Sequence, residues 1–146
     1  MKKFLILALL LAPVGAIAAE GSVVGHTAHN MNDKRISLGL SRGMRQHQLS
    51  NMRAHLAATQ SIIGLLSERK FKEAAKIAHT KLGLTEEMKQ MCEKFENEDF
   101  KKLGLAFHKS GDDLGDALQT KNVNASLRAL NKTMQYCVEC HATYRQ

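Results

Sequence analysis

Cys137-Val138-Glu139-Cys140-His141 constrains this chain more than any other stretch. Its two thiols lie three residues apart, one helical turn, so both can reach one edge of a flat macrocycle and bond to its two vinyl groups. The histidine that follows can swing beneath the ring and offer an imidazole nitrogen to a central iron. Cys-x-x-Cys-His is the attachment pattern of c-type haem. The pattern also continues a stripe. Val123, Leu127, Leu130, Met134, Cys137 and His141 follow one another at steps of 4, 3, 4, 3 and 4, so the motif is expected on the inward face of its own helix, capped by Asn122 or Asn124. A surface redox dithiol would have no reason to lie on a core seam.

The beginning of the chain reads as an address rather than as fold. Lys2 and Lys3, an apolar run from Phe4 to Ala12 and the small residues Ala16-Ile17-Ala18-Ala19 make residues 1–19 a secretory signal peptide, with an uncleaved tether as the alternative. Residues 20–32, rich in Gly, Ser, His and Asn, form a flexible leader in which His26 and His29 are solvated. The single proline, Pro13, leaves with the signal, so nothing in the remaining chain forbids long helices.

From Asp33 onward the apolar period is helical. Asp33 is expected to cap a first helix running to about Ser67, with Leu49, Met52, Leu56, Thr59, Ile63 and Leu66 as its inward stripe. Glu68-Arg69-Lys70 is a turn, and a second helix starts at Phe71, is interrupted near Gly83 and restarts at Thr85-Glu86-Glu87. A third helix covers about Asp99 to Lys121, where Gly104, Gly111 and Gly115 make room for a neighbour or a bulky group. Four amphipathic helices with short connections and no period-two segment predict an all-α, antiparallel four-helix bundle over residues 33–146.

Charge and cysteine usage narrow the function classes. The formal charge of +7 falls to +5 once Lys2 and Lys3 are removed, and the excess is spread along helices. There is no Trp and no aromatic-basic interleaving, so nucleic acid is not expected as a partner, and no later segment is apolar enough to span a bilayer. Cys92 is the odd cysteine, expected to be buried on a helix face, with an intermolecular bridge as the alternative. Zinc would need further ligands at suitable spacing, and none is evident. No acid–base pair or nucleophile constellation marks an enzyme.

The ending Cys137-Val138-Glu139-Cys140-His141-Ala142-Thr143-Tyr144-Arg145 resembles the C-terminal Cys-x-x-Cys-His-x-x-[Phe/Tyr]-Arg of the cytochrome c prime and cytochrome c556 family, and the likeness extends from about Asp33 to Arg145. The resemblance implies one haem c bound through Cys137 and Cys140, with His141 as proximal ligand and Arg145 near a haem propionate. In the c556 members a Met of the first helix is the second axial ligand, and that position falls at Met52. Met44, His47 and His55 are rivals, of which Met44 lies off the stripe and the two histidines are read as surface residues, like His79 and His108. The chain departs from the family where Arg often stands four residues before the sixth ligand. Here that residue is Gln48, and Arg45 stands one turn earlier. The function implied is a periplasmic carrier of single electrons serving redox partner proteins, with a homodimer as the family often forms. The alternative is a five-coordinate haem protein that binds nitric oxide or carbon monoxide.

Overall fold

The computed structural model describes residues 33–146, so the expected signal peptide and leader lie outside the described residues. The described chain is mostly helical. A two-residue strand β1 (Ile36–Ser37) leads into α1 (Arg42–Ser67), followed by α2 (Phe71–Ile77), a π-helical segment (Ala78–Leu82), α3 (Glu86–Cys92), α4 (Glu98–Gln119), α5 (Val123–Thr143) and a closing strand β2 (Tyr144–Arg145). Four helices pack against one another, α1, α2 with its π extension, α4 and α5, while the short α3 lies on α4.

Local chemistry sets the helix starts. The side chains of Thr85, Asn97 and Asn122 accept hydrogen bonds from the amides of Met88, Phe100 and Ala125, which satisfies otherwise orphaned first-turn donors. The first helix departs from expectation. Its cap is Ser41, whose Oγ accepts from the Met44 amide at 3.2 Å. Asp33 instead pairs with Arg35 at 2.8 Å, and Gly39, at φ +59°, turns the chain between β1 and α1.

The tightly packed face of α1 includes Leu66 of the expected stripe but is otherwise offset from it. Gln48, Ala58, Ile62 and Leu66 are buried, whereas Leu49, Ile63 and above all Leu56, 72% exposed, are not. Packing explains the offset. Ala58, Ile62 and Leu66 belong to one core cluster with Phe71, Ala74, Ala75 and Ala78, and the alanine face of α2 lets α1 approach closely. On α5 the buried residues are Ser126, Leu130 and Thr133, while Leu127 and Met134 of the expected stripe are exposed.

The π segment is held by α4. The Gly83 amide donates to the Ala78 carbonyl at 2.9 Å, and the Leu82 carbonyl and Leu84 amide are bonded by His108 and Asp112. Close approach here needs glycine. A Cβ at Gly111 would sit 2.5 Å from the Leu82 carbonyl oxygen, and one at Gly115 would run into the His79 ring. Gly111→Ala is therefore expected to cost about 1–3 kcal/mol in urea unfolding. Gly64→Ala, on the exposed side of α1 with no atom within 4 Å of the new Cβ, is expected to gain up to about 1 kcal/mol.

Candidate functional site

The last two turns of α5 carry Cys137, Cys140 and His141, and the segments before α1 and after α5 fix them in place. β1 pairs in parallel with β2, Ile36 beside Tyr144 and Ser37 beside Arg145, and the Leu38 amide donates to the Arg145 carbonyl at 3.0 Å. Arg35 Nη1 donates to the His141 carbonyl at 3.3 Å. Tyr144 packs edge-on against Phe100 with centroids 5.2 Å apart, and Phe100 against Phe95 at 4.7 Å. The helix end bearing the thiols is thus tied to the segment before α1 and wedged on an aromatic cluster.

These residues face a cavity of about 390 Å³, lined mostly by apolar side chains. That size lies within the range of small-molecule and cofactor pockets. Cys137, Cys140 and His141 line it from α5, and Met52 lines it from α1, so four sequence-predicted site residues meet in one space. Arg145 lies elsewhere. It sits in β2, exposed, with Nε 4.0 Å from an Asp33 carboxylate oxygen. That carboxyl is pulled down to about 2, first by the hydrogen bonds it accepts from Arg35. The arginine that does line the cavity is Arg53.

Burial sets the electrostatics. The Cys140 thiol is pushed up to about 11, by burial first and then by the Cys137 and Glu139 charges, and burial raises Cys137 as well. Both are thiols at neutral pH, the opposite of the low-pKa cysteine that a redox dithiol needs. Cys92, buried as expected, lines the same cavity with its own thiol raised by burial.

Two histidines read from sequence as surface residues belong to this lining. His55 and His108 stand edge to face with centroids 5.4 Å apart, and both rings contact Phe107. His108 Nδ1 donates to the Leu82 carbonyl at 2.8 Å, which leaves Nε2 as the acceptor in the neutral ring. Burial and the neighbouring His108 push His55 down to about 4, and burial lowers His108. The spacing held a signal for His55: it lies one turn beyond Met52, on the face that α1 turns inward. His47 is exposed and bonds Asn51 at 3.1 Å, as expected for a surface residue. His79 is partly buried, its Nδ1 bonded to Asp112 at 3.1 Å. Met88 and Met91, which carried no site role in the sequence reading, line the cavity from α3.

Among the described residues, no group of three or more His, Cys, Asp or Glu stands close enough to hold a metal ion alone, and no helix is long and apolar enough to cross a membrane. What the arrangement defines is an all-α scaffold around an apolar, cofactor-sized cavity that presents two thiols, an imidazole and a thioether. Comparison with family models, curated proteins and solved structures finds no match for this chain.

Proposed function

We propose that this chain is an exported c-type cytochrome, an antiparallel four-helix bundle that carries single electrons through one haem c and catalyses no substrate reaction. The observation that carries the reading is the meeting of Cys137, Cys140, His141 and Met52 in one largely apolar cavity. The donor set suits the group. Two protonated thiols one helical turn apart can add to two vinyl groups, and an imidazole and a thioether are axial donors used together in c-type cytochromes. A haem bound there supplies the ferrous/ferric couple.

The chain's own residues do the rest. Cys137 and Cys140 would hold the haem covalently, and His141 on α5 and Met52 on α1 would supply an imidazole and a thioether to its iron. The apolar walls, Leu49, Leu103 and Phe107 among them, exclude water and favour the iron state of lower charge. Arg53, which lines the cavity, would be the arginine partner for a propionate, a role the resemblance gave to Arg145.

The test is an optical spectrum of protein matured in a host with haem-attachment machinery, with carbon monoxide added to the reduced form. A low-spin spectrum with a methionine–iron charge-transfer band, and little response to the gas, supports electron transfer. A high-spin spectrum that shifts at once with carbon monoxide supports the gas-binding alternative. Lack of covalent haem sinks both readings. Cys137→Ser/Cys140→Ser is expected to leave no haem on the polypeptide after acid–acetone extraction, checked by the mass of the intact chain.

A further inference from the structure

Charge is unevenly shared among the helices. Every acidic side chain of the described residues lies between Glu68 and Asp116 except Asp33 and Glu139. Helix α1 has Arg42, Arg45 and Arg53 and no acid, and α5 has Arg128 and Lys132 against Glu139 alone. These five basic residues are exposed, and among the described residues none has a carboxylate within 4.0 Å. On α3 and α4, by contrast, Lys89, Lys101, Lys102 and Lys109 are all in ion pairs. Among the described residues unpaired cations occur elsewhere too, Lys72, Lys76 and Lys81 among them, but α1 and α5 together carry five against the single acid Glu139, and these are the helices that bring Met52 and the Cys-x-x-Cys-His motif to the cavity. Their charge reaches the cavity itself. Arg53 lines it, and Lys132 sits 5.0 Å from the ring centroid of Tyr136, which lines it too.

The same helices expose apolar side chains that a filled cavity would not cover. Ile63 (49% exposed), Leu127 (48%) and Val138 (69%) are large, open to solvent and not part of the cavity lining. Apolar contact area with a charged surround is the usual anatomy of a protein interface. Weak electron-transfer encounters use small interfaces, and complementary charge steers them.

We infer that the α1–α5 face around the cavity is the docking surface for an acidic protein that exchanges electrons with this chain, an inference that rests on the haem reading above. An acidic partner is favoured over a second copy of the chain. Apposing two such faces would bring the arginines of both copies together without compensating acids, and like charges across an interface cost affinity.

Two measurements test this, one of them independent of haem. In the first, binding of poly-L-glutamate to the mature protein is followed by amide shifts, with poly-L-lysine as control. Shifts confined to α1 and α5 and abolished by salt are expected. Shifts spread over α2 to α4, or none, overturn the inference whether or not haem is attached. In the second, the ferrous protein, its haem content checked by pyridine haemochrome, is oxidised by hexacyanoferrate(III) at increasing ionic strength. The rate is expected to fall about 10-fold from low to high salt, and Arg42→Glu/Arg45→Glu to remove most of that dependence. Lys72→Glu/Lys76→Glu on α2, the same change in net charge, is expected to keep it. Equal effects of the two pairs would show net charge alone at work and overturn the inference. So would a dimer at micromolar concentration whose interface covers α1.

Discussion

On the proposed haem reading, Met52→Ala is expected to abolish the methionine–iron charge-transfer band of the haem-loaded protein and turn a low-spin spectrum high-spin. The reason is geometric. Met52 is the thioether that α1 places in the cavity with His141, and alanine cannot reach an iron from that backbone position. Gas affinity should change more than any other property. When a resident ligand must leave first, apparent affinity falls by the fraction of time the site is open. A Met bond favoured by about 3 kcal/mol keeps the site open on the order of 1% of the time, so its removal should raise carbon monoxide affinity about 100-fold. Titration of the reduced variant with carbon monoxide measures this. Retention of a low-spin spectrum would move the ligand to another residue of the lining, with His55, one turn away, the nitrogen donor best placed to be it. Met88→Ala, altering a thioether of the same lining on α3, is expected to leave the charge-transfer band in place.

Acid should destabilise the haem-free chain well above the carboxylate range, and His55 is the reason. In the unfolded chain its imidazole titrates near its ordinary 6.5, while in the fold burial and His108 hold it near 4. Between those values the unfolded state binds a proton that the folded state refuses. Stability is therefore full at neutral pH, falls as pH drops through about 6.5, and levels off below about 4. From pH 7 to pH 4.5 the loss is expected to be roughly 2–3 kcal/mol from His55, with a further loss of the same sign from His108. Urea unfolding at the two pH values measures it. His55→Leu, which keeps the bulk and removes the titration, should flatten most of the dependence. If the slope is unchanged in that variant, another group is responsible.

The helices were legible because their signals are local. Thr85 and Asn122 cap where the sequence places them, and Gly83 ends the interrupted second helix as expected, while α4 starts at Glu98, with Asn97 as its cap, beside the expected start at about Asp99. The site was legible only in part. Cys137, Cys140 and His141 announce themselves by spacing, and Met52 was reached through resemblance. His55 and His108 carried no comparable mark. Isolated histidines in amphipathic helices read as solvated, and their burial depends on which way two separate helices turn. Arg145 illustrates the reverse: the resemblance marked it for a propionate, and the fold sets it 4.0 Å from the Asp33 carboxylate, which also pairs with Arg35.

What the sequence determines by itself is the all-α class, the positions where helices begin and break, and the chemistry of the Cys-x-x-Cys-His end. Each follows from residues within a few positions of one another. Tertiary structure decides the faces. A heptad count on α1 selects Leu49, Leu56 and Ile63, but close contact with the small residues Ala74, Ala75 and Ala78 turns Ala58 and Ile62 inward instead. The same packing sets His55 in the cavity lining beside Leu49, Met52 and Leu56, and leaves Ile63, Arg42 and Arg45 outside that lining. No periodicity within one helix can report this, because the choice between adjacent faces is made by the volume of the side chains on another.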